Sequence, residues 1–433
     1  MITSTQAIRN KFFRFSSICN YNYSSTSTGS INNSTTINRG THIHHNHKIY
    51  QSHHYHASAS SSFVTMTRMN TLGHGCGGAG MGNVKDQMIP TSAEEQQHLF
   101  KHTKRPKTVS IIGAPMTFGQ PFVGTDRGPQ YLREAGLLQD LSSLGWRVHD
   151  QGDLNFDSLA NDMNRNINTS STTSSDKYTA DIDVNAKNSI IVGKGCEMIA
   201  NAVKSVIANG QFPLILGGDH SIGTGSLAGI LQARPNTGVI WVDAHADINT
   251  PETSDSGNMH GMPISFLIEG MVDSKGIPGF EWLSKPEMSA ARLNPDSIVY
   301  VGLRDVDSLE RKFIREKNIK AFTMYDIDKY GIGSVMDQAL THLLEKDPSR
   351  PIHVSYDIDA VDPAHAPATG TTVRGGLTYR EAHFVGEAVA MSGCLASVEM
   401  VELNPTLSDG AGSNDTIELG LGLITSLMGK SII

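Results

Sequence analysis

Val239-Ile-Trp-Val-Asp243-Ala-His245-Ala-Asp247-Ile-Asn249-Thr250 begins as an apolar, β-branched run and ends on side chains of the metal-ligand type. Its first half reads as a strand buried on both faces, the kind found inside a parallel sheet. Residues two apart on a strand project the same way, so Asp243, His245 and Asp247 can converge where strand gives way to loop. Two other stretches share this build. Pro213-Leu-Ile-Leu-Gly-Gly-Asp-His220-Ser ends on a histidine, and His353-Val-Ser-Tyr-Asp357-Ile-Asp359-Ala-Val-Asp362-Pro ends on Asp-x-Asp.

Moving outward, β-rich runs lie at 108–113, 213–217, 238–243, 297–302, 321–324, 352–357 and 395–401. Helical patterns fall between several of them, at 131–144, 190–207, 335–344 and 379–391. This alternation predicts a single α/β domain: a mostly parallel sheet flanked by helices on both faces. Ligands of such sheets sit outside the carboxyl ends of the strands, which is where the three polar clusters fall.

Asp243, Asp247, Asp357 and Asp359 in one pocket with His220 and His245 would repel one another unless a cation lay among them. Six donor residues exceed the needs of one ion, so the economical reading is two metals with bridging carboxylates. Oxygen-rich ligation with few imidazoles and no thiolate favours Mn²⁺ over Zn²⁺ or Cu²⁺. Two ions roughly 3.5 Å apart can share a water and lower its pKa. Taken singly, each cluster has an ordinary explanation: Asp-x-Asp as a turn, a lone histidine as a satisfied core residue. Three clusters at predicted strand ends do not.

The 433 residues carry a net charge of −8, which argues against nucleic-acid binding through a general basic surface. No run approaches the roughly 18 apolar residues of a spanning helix. The four cysteines are scattered, which suits a reducing compartment. Charge is unevenly spread. Seven of the 35 basic residues lie in 1–85, and none of the 43 acidic ones does. Residues 1–104 are therefore expected to be a disordered extension, and the acid-free, Ser-rich start is expected to be a mitochondrial transit peptide. A plain tail on a cytoplasmic protein is the alternative. The histidines between His42 and His56 lack the spacing of a structural metal site. The catalytic domain is expected at 105–433, with a low-complexity insertion at about 155–187.

From about 105 onward, apart from that insertion, the chain resembles the ureohydrolase family and, within it, the arginases. The resemblance runs in order through Gly113-Ala-Pro, Gly119-Gln-Pro, Gly128-Pro, Gly217-Gly-Asp-His-Ser and Asp243-Ala-His-Ala-Asp-Ile-Asn-Thr. It continues through Ser256-Gly-Asn-Met-His-Gly-Met-Pro, Gly302-Leu-Arg-Asp-Val-Asp, Asp357-Ile-Asp-Ala-Val-Asp-Pro, Thr369-Gly-Thr and Glu402-Leu-Asn-Pro. It implies an arginase/deacetylase-type fold and hydrolysis of L-arginine to L-ornithine and urea by a hydroxide held between two Mn²⁺ ions per subunit.

By the same resemblance, one ion takes His220, Asp243, Asp247 and Asp357, and the other Asp243, His245, Asp357 and Asp359. Asp247 would relay the proton to the leaving amine, and His260 would act as proton shuttle. Asn249 and Ser256 would meet the substrate α-carboxylate. Asp307, aided by Glu310, would meet the α-amino group, and Glu402 would pair with the guanidinium beside Thr371. The resemblance also suggests a homotrimer. Thr372 departs from the common Thr-Gly-Thr-Pro. An agmatinase or guanidinobutyrase would keep every metal ligand, but Ser256-Gly-Asn-Met-His and Glu402-Leu-Asn-Pro favour an arginase. A deacetylase's single-zinc site would not need both carboxylate motifs, and a non-catalytic relative would be expected to have lost ligands.

Overall fold

Residues 107–156, 159 and 184–432 are described in a computed structural model of the chain. The N-terminal extension, with its transit reading and histidines, and most of the 155–187 insertion lie outside them. Within the first half the elements are β1 (Thr108–Ala114), α1 (Gly128–Glu134), α2 (Leu137–Ser143), β2 (Arg147–Asp153), α3 (Ser189–Ala208), β3 (Phe212–Gly217) and α4 (Gly223–Ala233). There follow β4 (Gly238–Val242), β5 (Ile298–Leu303), α5 (Ser308–Glu316), β6 (Lys320–Thr323) and α6 (Met324–Leu344). Last come β7 (Ile352–Asp357), α7 (Tyr379–Ser392), β8 (Leu395–Val401) and α8 (Gly410–Leu427).

The eight strands form one sheet in the order β2-β1-β3-β8-β7-β4-β5-β6, and every pair is parallel. All carboxyl ends therefore face the same edge. β3, β4, β5, β7 and β8 are buried along their whole length; β3, β4 and β5 are the unbroken apolar runs such burial favours, whereas β7 and β8 carry polar side chains among the apolar ones. Successive side chains feed two cores. Ile240 and Val242 join one apolar layer with residues of α6, α7 and α8. Val239 and Trp241 join the other with residues of α3 and α4.

The structure refines several expectations. The helix expected at 131–144 is two, because Gly136 at φ +105° breaks it between α1 and α2. The pattern at 335–344 is the second part of α6, whose path bends at Gly331, φ +76°. β2 was not anticipated: as an edge strand it has a partner on one side only and alternates in exposure, with Val148 its one buried side chain. α4 was also unforeseen: glycines at 223, 225 and 229 weaken the helical pattern of its sequence. Its glycines allow close approach to α3: a Cβ on Gly225 or Gly229 would stand 2.5 Å from the Cys196 or Ala200 carbonyl oxygen. Among the described residues, no helix is long and apolar enough to cross a membrane.

Candidate active site

Each strand of the sheet's centre delivers its donors through a short, pinned turn. After β3, Asp219 accepts hydrogen bonds from the Gly119 and Ser221 amides and caps the turn His220–Ile222. After β4, Asp243 accepts from the Trp241 indole at 2.9 Å and the His245 amide at 2.7 Å. Asp247 adopts φ +51°, a left-handed turn that reverses the loop. After β7, Asp357 accepts from the Asp359 amide at 2.8 Å and starts the turn Ile358–Ala360.

These turns bring all six predicted ligands together. The His220 Nδ1 lies 3.1 Å from Asp243 Oδ2, 3.0 Å from Asp247 Oδ2 and 3.0 Å from Asp357 Oδ2. The His245 Nδ1 lies 3.1 Å from Asp359 Oδ2 and 3.5 Å from Asp243 Oδ1. Two groups can each hold a cation, His220–Asp243–Asp357 and Asp243–His245–Asp359, and they share Asp243.

A cation fits this donor set. The His220 Nδ1 is buried and makes no hydrogen bond, although three carboxylate oxygens converge on it. Donor separations near 3 Å are the edges of an octahedron whose metal–donor bonds are about 2.1 Å. The electrostatics agree. Burial drives the Asp357 carboxyl well above its ordinary range, with Asp359 and Asp243 adding to the effect. Burial, with Asp243 next, pushes Asp247 up to about 6. Burial opposes charge on His220, yet Asp243, Asp247 and Asp357 raise the imidazole well above its usual value. A proton on the ring offsets one negative charge; divalent ions can offset all four.

Beside the cluster lies a cleft of about 230 Å³ reached by His245, Asp247 and Asp357. Asn249, Ser256, His260, Asp307, Glu310 and Thr371 line it as well. Asn249 Nδ2 donates to Asp307 Oδ2 at 2.9 Å, and Thr371 Oγ1 to Asp359 Oδ2 at 3.0 Å. Glu310 has both oxygens engaged by backbone. It accepts from the Ile248 amide at 3.1 Å and the Asp307 amide at 3.0 Å, bracing the metal loop against the start of α5. Burial pushes its carboxyl up to about 7. Glu402, 1% exposed and at φ +65°, accepts from the His220 amide at 2.8 Å. His260 Nδ1 stands 3.6 Å from it.

Sequence reasoning gave no role to two further residues here. Gln120 donates through Nε2 to Glu402 Oε2 at 2.5 Å and so holds the oxygen that the His220 amide leaves free. Arg304 donates to the carbonyl oxygens of Asp359 (2.6 Å), Ala360 (3.0 Å) and Val373 (2.8 Å), while its amide donates to Ala244. It ties three loops of the site. The only signal for either was its place inside a quoted motif, Gly119-Gln-Pro or Gly302-Leu-Arg-Asp.

Fold and site together define an α/β metalloprotein whose donors gather at the carboxyl edge of a parallel sheet. The chain matches the Arginase family over residues 107–429. It is 43% identical over 331 residues to an arginase of Glaciozyma antarctica, covering 76% of this chain and 89% of that one. It is 44% identical over 302 residues to arginase-1 of Homo sapiens, covering 70% and 86%. The solved arginase of Bacillus caldovelox superposes with a TM-score of 0.64 at 37% identity, covering 76% of this chain and all of that one. This chain belongs to the arginase family.

Proposed function

We propose that the chain hydrolyses L-arginine to L-ornithine and urea. The observation that carries this reading is the meeting of six ligand side chains from three strand ends beside a cleft lined by Asn249, Ser256 and Asp307. Two Mn²⁺ ions are the proposed cofactor. His220, Asp243, Asp247 and Asp357 would hold one, and Asp243, His245, Asp357 and Asp359 the other. When bound, such ions supply an activated water at neutral pH.

The protein's own groups do the rest. Asn249 and Ser256 receive the α-carboxylate, and Asp307, set by Glu310, the α-ammonium. Glu402, held by Gln120 and the His220 amide, orients the guanidinium beside Thr371. As the water oxygen adds to the guanidinium carbon, Asp247 takes up the proton it sheds, and when the carbon–nitrogen bond breaks Asp247 passes that proton to the ornithine nitrogen. His260 exchanges protons between cleft and solvent. A mitochondrial address for residues 1–85 and a homotrimeric assembly complete the reading.

Charge-assisted hydrogen bonds are each worth roughly 1.5–3 kcal/mol. Agmatine lacks the carboxylate and leaves its partners unpaired, so a preference for arginine of about 10³-fold or more is expected. Urea release from each substrate by Mn²⁺-loaded protein measures it. Equal efficiency on the two would replace arginase with agmatinase chemistry on the same metal centre.

A further inference from the structure

Inside the sheet, beneath the ligand cluster, lies a patch of polar side chains. β7 places His353 and Ser355, and β8 places Ser397 and Glu399. The ladder sets His353 opposite Ser397 and Ser355 opposite Glu399. All four are 0% exposed. Their alternate neighbours Val354, Tyr356, Val398 and Met400 belong to an apolar core, as the centre of a parallel sheet demands. Polar groups in this place cost stability unless they are hydrogen-bonded. Four of them on adjacent strands call for a reason other than packing.

The hydrogen bonds lead to one residue. His220 Nε2 lies 2.8 Å from Ser355 Oγ, and Ser355 Oγ lies 2.6 Å from Glu399 Oε1. Behind them His353 Nδ1 meets Ser397 Oγ at 3.0 Å, and its Nε2 stands 3.7 Å from Glu399 Oε1. A carboxylate only accepts, so Ser355 gives its one proton to Glu399 and must accept from the imidazole. The His220 proton is then on Nε2, and the bare Nδ1 faces Asp243, Asp247 and Asp357. Trp241 stacks on the ring at 4.1 Å and 6°, which fixes its plane.

We propose that Ser355 and Glu399 are positioning residues that lock the His220 ring in the orientation and tautomer presenting Nδ1 to a metal ion. The arrangement is a carboxylate–histidine–metal relay with a hydroxyl interposed. It rests on the metal-centre reading above. It reaches one side of that centre only, because His245 belongs to the other donor group.

The test is calorimetric titration of metal-stripped protein with Mn²⁺, together with thermal unfolding of the metal-free forms. Ser355→Ala is expected to weaken one of two binding events by roughly 10–100-fold, the usual effect of losing an outer partner, and to leave the other within about threefold. Glu399→Gln, which keeps an acceptor oxygen, should lose less than Ser355→Ala, and Glu399→Leu as much. Unchanged affinity at both sites in Ser355→Ala and Glu399→Leu overturns the relay. So does equal weakening of both sites in step with a lower melting temperature, which marks a merely structural role. A wild-type protein that takes up no Mn²⁺ would instead defeat the metal-centre reading itself.

Discussion

Asp357 divides its carboxylate between two tasks, Oδ1 accepting the Asp359 amide and Oδ2 facing the His220 ring. Asp357→Asn keeps the shape and removes the charge that both proposed ions would share. Urea release should fall by more than the roughly 10–100-fold expected of an outer partner, and elemental analysis should find fewer than two Mn²⁺ per chain. Two ions and full activity in that variant would refute the bridging role. Glu310 yields a pH prediction. Its folded-state carboxyl is raised by burial from the ordinary 4.5 to about 7, so the native chain keeps a proton that the unfolded chain has lost across that window. Stability from this group is thus full below the unfolded value and is lost as pH rises through the folded one. Denaturant titrations of metal-free protein should show Glu310→Gln flattening this decline by up to about 1.4 kcal/mol per pH unit. An unchanged slope would show that Glu310 is ionised throughout.

At the scale of elements, α4 makes the sharpest prediction. Gly229→Ala gains about 1 kcal/mol of helix propensity, but its Cβ would press on the Ala200 carbonyl of α3, a backbone atom that cannot swing aside. Overpacking of this kind costs about 1–3 kcal/mol, so the urea midpoint should drop while metal content holds. A higher midpoint would show that the two helices have slack. The same helix shows what the sequence conceals. Glycines that serve close packing look like those of a loop until the partner helix is known. β3, β4 and β5 were legible because burial on both faces leaves an unbroken apolar run, whereas edge strand β2 needs only Val148 inside. The ligands were legible because they crowd onto strand ends. Gln120 was not, since its partner Glu402 lies 282 positions away. The polar set at His353, Ser355, Ser397 and Glu399 was in plain view, but only the ladder reveals that it is buried and pointed at His220.

For the whole molecule, the uneven charge of the sequence gives a prediction independent of the catalytic domain. Residues 1–85 fused to a reporter should carry it into mitochondria, as read by microscopy and fractionation; a wholly cytosolic reporter would leave the segment without an address. The strand order carries a consequence for how the chain is made. β3 and β4, which lead to His220 and Asp243, are not neighbours; β8 and β7, encoded last, lie between them. A nascent chain that has emerged only through α6 owns two separate ribbons, β2-β1-β3 and β4-β5-β6, with no strand to join them. Such long-range closure is slow, and until it happens the exposed edges of β3 and β4 invite wrong partners. His220 and Asp243 meet only when the last fifth or so of the polypeptide, from Ile352 onward, slides between those edges. Capture of an ion by His220 and the β4 carboxylates thus becomes a certificate of complete synthesis: a stalled or clipped chain holds four of the six ligands, three of them together at the end of β4, but has no means of bringing His220 within their reach.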